Sequence, residues 1–128
     1  MNYFYVSFTG HRNKIAAEGE LDRIAKKYGG GIWVHGGALG FDSQVQAFAE
    51  KHRIPTLIIR PNYDKYPGRV APMIRNREIA EMGNVLVACY DGREDGGTAY
   101  TISKAKELEN HIEYVQCREV VVYGKTDS

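Results

Sequence analysis

"IWVHGGALGFDSQVQAFAEKHRIPTLII", residues 32–59, is the stretch on which the fold turns. It opens on a short apolar run, IWV at 32–34, and closes on another, TLII at 56–59 after Pro55. Between them a helix is predicted from about Asp42 to His52, with Val45, Phe48, Ala49 and His52 on one side. Strand, helix and strand in succession argue for parallel pairing. Gly36, Gly37 and Gly40 stand just ahead of that helix, and Asp42 is placed to cap it. The glycines are either a tight turn or a cradle for an anion.

The alternation continues in both directions. Residues 3–8, YFYVSF, read as a first strand. A helix is predicted from about Lys14 to Tyr28, where Ala17, Leu21, Ile24 and Tyr28 form one stripe, weakened at Gly19 and stopped by Gly29, Gly30 and Gly31. A polar loop then leads to a helix over 70–82, a strand NVLVAC at 84–89 and a helix over 98–108. Residues 112–116 and 119–123 read as late strands, although Cys117 and Arg118 between them are poor hairpin residues. This order predicts an α/β fold with a mostly parallel sheet of five to six strands and helices on both faces. The apolar runs 32–34, 56–59 and 84–89 are read as strands buried on both sides.

The chain has 128 residues, which fits a single domain over 1–128. Its 43% hydrophobic and 26% charged residues are ordinary for a globular protein. The net charge of +1 lacks the basic excess on which non-specific nucleic-acid binding rests. No run is long enough to span a membrane, and MNYFYVSFTG lacks the features of a secretory signal. Cys89 and Cys117 are read as reduced thiols, which points to a cytoplasmic setting.

Right-handed crossovers put every strand-to-helix loop on one edge of such a sheet, where open α/β sheets bind ligands. Those loops are TGHRN (9–13), HGGALGFD (35–42), RPNYDKYPGR (60–69) and YDGREDGGT (90–98). Two of them join glycines to a helix start. There backbone N–H groups can approach a ligand closely, and the helix dipole favours negative charge. Thr98 adds a hydroxyl for a cap or a phosphate. Neither loop has Walker A or dinucleotide-fingerprint spacing.

The helix over 70–82 carries a charged oddity. At about 100° per residue, Val70, Met73, Ile74 and Ala80 share one face and Arg77 falls within it. Either Arg77 snorkels over the sheet edge, or it turns into a cleft and pairs with phosphate. Asn76 could satisfy loop backbone groups, and Arg75 is expected in solvent. His11, followed by Arg12, either bonds a ligand or closes a turn. His35 is expected to be a satisfied packing residue, and His52 and His111 to be structural or exposed. Asp91 either accepts ribose hydroxyls or serves as a turn residue before Gly92. Tyr63 and Tyr66, with Trp33 behind them, either wall a base or anchor loops. The histidines show no metal spacing, so no metal site is expected.

TGHR, HGGALGFD, PMIRNREIAE and DGREDGGTAYTISKAKE together resemble the SLOG superfamily, and most closely its small YspA/YpsA-related branch, over roughly residues 3 to 110. The resemblance implies a Rossmann-like fold and a nucleotide or nucleotide-derived ligand. Relatives include LOG phosphoribohydrolases, sensor domains for NAD-derived signals, and DNA-processing DprA proteins. By position it implies a site of Gly10, Gly36, Gly37, Gly40, Asp42, Arg75, Asn76, Arg77, Gly96, Gly97 and Thr98. The LOG hydrolases carry a glutamate three residues after the threonine, where this chain has Thr101. A hydroxyl cannot do that carboxylate's work, so the hydrolase activity does not transfer.

The expected function is binding of a phosphorylated nucleoside or an AMP-, ADP-ribose- or NAD-related ligand, as sensor, carrier or sequestering protein. His11, Arg12 and Asp91 join the site on the residue reading. The alternative is an N-glycosidic hydrolase in which Asp91 or Asp42 polarises the ribose and Arg77 holds the phosphate. A DNA-binding module of DprA type is third, disfavoured by the net charge. No cofactor or membrane is expected, and the resemblance implies a homo-oligomer.

Overall fold

The computed structural model describes residues 3–120. In chain order the elements are β1 (Tyr5–Gly10), β2 (Lys14–Ala16), α1 (Glu20–Tyr28), β3 (Ile32–His35), α2 (Phe41–Lys51), β4 (Thr56–Ile58), α3 (Val70–Met82), β5 (Val85–Cys89), α4 (Gly97–Glu107), β6 (His111–Val115) and β7 (Cys117–Glu119). Five strands make one parallel sheet in the order β4–β3–β1–β5–β6. The order reverses between β1 and β5, where Val6 pairs with Val85 and Gly10 with Cys89.

Period-two alternation divides the core between the two faces of the sheet. Val6, Phe8, Trp33, Val85 and Val87 meet Leu21 and Ile24 of α1 and Phe41, Val45 and Ala49 of α2. Val34, Leu86 and Ala88 meet Ile79 and Ala80 of α3 and Ile102 and Ala105 of α4. The result is the three-layer, Rossmann-like architecture expected of the sequence. β5 is buried along its whole length. β4 is not: it is an edge strand with Leu57 39% exposed, so the 56–59 run is apolar without being central.

The first helix is shorter than its stripe suggested. Lys14–Ala16 form β2, which pairs antiparallel with β7, and α1 begins only after Gly19, whose φ is +86°. The other side of β2 is met by the Gln44 side chain, which accepts from Ala16 N at 2.7 Å and donates to Ala16 O at 3.0 Å. Long-range pairing therefore overrides helical periodicity there. Of the late strands, β6 lies one residue earlier than expected, and β7, Cys117–Glu119, starts two residues before the expected 119–123. Residues 121–123 lie outside the described residues. Cys89 and Cys117 are free thiols. No helix among the described residues is long and apolar enough to cross a membrane.

Candidate functional site

All four loops at the carboxyl edge of the sheet meet around one cleft of about 700 Å³. It lies at the β1/β5 reversal, the place where open α/β sheets form ligand crevices. Thr9–Arg12 bound it after β1, Gly36–Ala38 and Asp42 after β3, Arg60, Pro61 and Tyr63 after β4, and Arg93, Gly97 and Thr98 after β5. Pro72, Arg75, Asn76 and Ile79 of α3 complete the wall.

The glycine loop is held from within. Asp42 Oδ2 accepts the amides of Gly36 and Ala38, both at 3.2 Å, and His35 Nδ1 accepts the amide of Gly37 at 3.0 Å. His35 Nε2 meets Gln46 Oε1 at 2.7 Å, so His35 is the satisfied packing residue the sequence suggested. The expectation that the 36–38 amides face an anion needs correcting, because they already have acceptors. Asp42 does not cap α2 either; Gly40 is its N-cap. Gly40 combines a φ of +78° with a backbone approach so close that a β-carbon would lie 2.4 Å from Arg12 O. Its lack of a side chain joins the β1 loop to α2. Asp42 is 7% exposed, and its Oδ1 has no partner. Burial pushes its carboxyl above the ordinary range, against the pull of the two amides and Arg75.

The start of α4 is open by contrast. Gly96, at φ +99°, is the N-cap, and no side chain caps the helix. The amides of Gly97, Thr98 and Ala99 find no acceptor among the described residues. Thr98 is therefore inside the first turn and not the cap, with 5% exposure. Thr101 donates back to Gly97 O at 2.8 Å and is fully buried.

The two arginines of α3 exchange the places expected of them. Arg77 is half exposed and faces Glu81 at 3.8 Å, one turn on. It does not line the cleft. Met73 and Val70 are also exposed, at 47% and 41%; α3 buries Ala71, Ile79 and Ala80 instead. Arg75 turns inward. Its Nη1 donates to Gly36 O at 2.8 Å, and its Nε donates to Asn76 Oδ1 at 2.8 Å. Asn76 Nδ2 reaches Gly97 O at 3.5 Å. Gly36 has no β-carbon to block this: one would lie 2.6 Å from Arg75 Nη1. Burial draws the Arg75 guanidinium below its usual value, and nearby Asp42 opposes that.

His11 is 6% exposed and serves the turn. Its Nε2 accepts the Asp91 amide at 3.2 Å and lies 3.1 Å from Asp91 Oδ1. Burial lowers its pKa, and the neighbouring Asp91 carboxylate opposes that. Asp91 is clasped by Arg93, whose Nε donates to both carboxylate oxygens at 2.9 and 3.1 Å. That pairing holds the carboxyl well below the usual range. Asp91 does not line the cleft, whereas Arg93 does. Trp33 is fully buried, stacked on Phe48 at 5.6 Å, and belongs to the core and not to a ligand wall. Tyr63 lines the cleft; Tyr66 does not.

Four guanidinium groups, those of Arg12, Arg60, Arg75 and Arg93, line the crevice together with the carboxylate of Asp42, and Arg93 is paired with Asp91 just outside it. Arg60 and Arg93 were not singled out in the sequence, although each stands in a loop just beyond a strand's carboxyl end. Among the described residues no group of His, Cys, Asp and Glu has the arrangement of a metal site.

The fold defines a Rossmann-like α/β protein, with an arginine-lined crevice at its topological switch point. No protein-family model matches the chain, and no curated protein matches it. Among solved structures it is similar to DNA processing protein A (DprA) from Streptococcus pneumoniae, with a TM-score of 0.68 and 17% identity over 88% of this chain. The chain spans about half of that protein, the match covering 50% of it. At that identity the likeness is one of fold.

Proposed function

We propose that the cleft binds the phosphate-bearing part of a nucleotide or nucleotide-derived ligand, and that the protein acts as a sensor, carrier or sequestering module. The observation that carries this reading is the uncapped first turn of α4 opening beside Arg75, Asn76 and Arg93. Free helix N-terminal amides and guanidinium groups both favour phosphate. Bond cleavage draws less support. Asp42 already accepts two amides, His11 Nε2 accepts a third, and Asp91 is clasped by Arg93. Among the described residues these three groups are engaged in holding loops together, although Asp42 Oδ1 keeps no partner. Native mass spectrometry and calorimetry with AMP, ADP-ribose and NAD test the proposal. Binding without released base supports a binding module; released base revives the hydrolase reading; no binding to any of the three refutes both.

The likeness to DprA favours one second reading, DNA whose phosphates lie along the same arginines. Its mark is affinity falling steeply with salt. A mobility shift that is absent at low salt removes it.

A further inference from the structure

A second hollow adjoins the cleft across the start of α4. It holds about 610 Å³, walled by Pro72 and Met73 of α3 and by Ala99 and Tyr100 of α4, with Glu94 and Asp95 at its edge. Pro72, Asn76 and Gly97 line both spaces, so groove and cleft meet at the first turn of α4. The chemistry changes sharply across that junction. The cleft side is arginine-rich; the groove side offers apolar walls, a half-buried phenol ring and carboxylates. Lys104 Nζ sits 5.3 Å from the Tyr100 ring centre and steadies the ring.

We propose that this groove is the base subsite of the ligand whose phosphate occupies the cleft. A flat heterocycle lies against Tyr100, Met73 and Pro72, its amino edge toward Glu94 and Asp95, while the phosphate lies against the α4 amides and the arginines. The inference rests on the nucleotide reading above and sharpens it. Carboxylates accept N–H groups and repel carbonyl oxygens. The groove therefore selects bases with an exocyclic amine, such as adenine, over uracil, whose single N–H stands between two carbonyls. Aromatic and thioether contacts supply affinity without choosing the base; the carboxylates choose it.

The test is calorimetry on the full chain with AMP, UMP and ribose 5-phosphate, using the wild type, Tyr100→Ala and Asp95→Asn. Asp95 is exposed, so its variant keeps the comparison informative should Tyr100→Ala fold poorly. AMP is expected to bind roughly ten-fold or more tightly than ribose 5-phosphate, the usual worth of one base stacked on an aromatic ring. Tyr100→Ala removes that advantage and leaves ribose 5-phosphate unchanged. Asp95→Asn narrows the gap between AMP and UMP. Equal binding of AMP and ribose 5-phosphate by the wild type overturns the subsite and leaves the phosphate cleft standing. Binding of neither overturns the nucleotide reading and the subsite together. If Tyr100→Ala changes only the sedimenting mass, the groove is a contact between copies of the chain and the proposal fails.

Discussion

Arg75 and Arg77 stand two positions apart on α3, and only Arg75 enters the cleft. Truncating Arg75 removes donors from Gly36 O and Asn76 Oδ1 as well as a cation from the crevice. Arg75→Ala is expected to weaken a phosphorylated ligand roughly ten-fold or more and to cost about 1–3 kcal/mol of stability. Arg77→Ala should change stability by about 0.5 kcal/mol or less and leave affinity alone, since exposed pairs of this kind contribute little. Parallel calorimetry and urea titrations separate the two. Asp42 makes a different prediction at the same scale. Burial raises its pKa above 3.8, so its contribution to stability is complete below that value and is lost as pH rises through the raised one. Asp42→Asn keeps an acceptor for the Gly36 and Ala38 amides and removes the buried charge. Its melting temperature should therefore gain on the wild type as pH climbs from 4 to 7.

Elements owe their placement to single side chains in several places. β2 is three residues long, paired on one edge by β7 and on the other by the Gln44 amide from α2. Ala16 is buried, so losing Gln44 strands an N–H and a C=O away from water. Gln44→Ala is expected to cost roughly 2 kcal/mol by urea denaturation. It should also raise hydrogen exchange at residues 14–16 and 117–119 more than in the parallel sheet. The same packing explains why the 14–28 stripe overran its helix. Leu21 and Ile24 are core residues of α1, whereas Ala17 lies in the turn after β2 and donates to Gln116 O at 2.8 Å. A spacing of four continues a helical pattern by sequence alone and says nothing about a strand as far along the chain as Cys117–Glu119.

Across the whole molecule, two carboxylates tilt the pH dependence of stability in opposite directions. Glu113 on β6 is bonded by Lys27, Arg23 and Tyr28 of α1, which bring its carboxyl down to about 2 from 4.5. A lowered pKa stabilises above the unfolded value and is lost as pH falls toward 2. Glu113→Gln should accordingly flatten the acid limb of a melting-temperature profile between pH 4.5 and 2, where Asp42→Asn flattens the limb above pH 4. A profile unchanged by Glu113→Gln means that the α1–β6 tie contributes nothing. The global charge of +1 likewise conceals local structure, because Arg12, Arg60, Arg75 and Arg93 all line one cleft while Glu94 and Asp95 line the groove beside it. Total charge therefore speaks poorly about the site.

By itself the sequence determined the alternation of strands and helices in the main sheet, its parallel pairing and the shared edge of the four loops, but not β2 or its pairing with β7. These follow from local periodicity, glycine breaks and the handedness of crossovers, all of which act over short stretches of chain. It also marked HGGALGFD and DGGT as the loops to watch. Only the tertiary structure decided what each loop does. The amides of the first are taken up by Asp42 and His35, while those at the start of α4 have no acceptor among the described residues. It likewise decided that Arg75 faces inward and Arg77 outward. The reason is physical: α3 carries apolar residues on several sides, so periodicity names no single buried face. Which side turns inward depends on what packs against the helix, and a donor is free only when every potential acceptor has been placed.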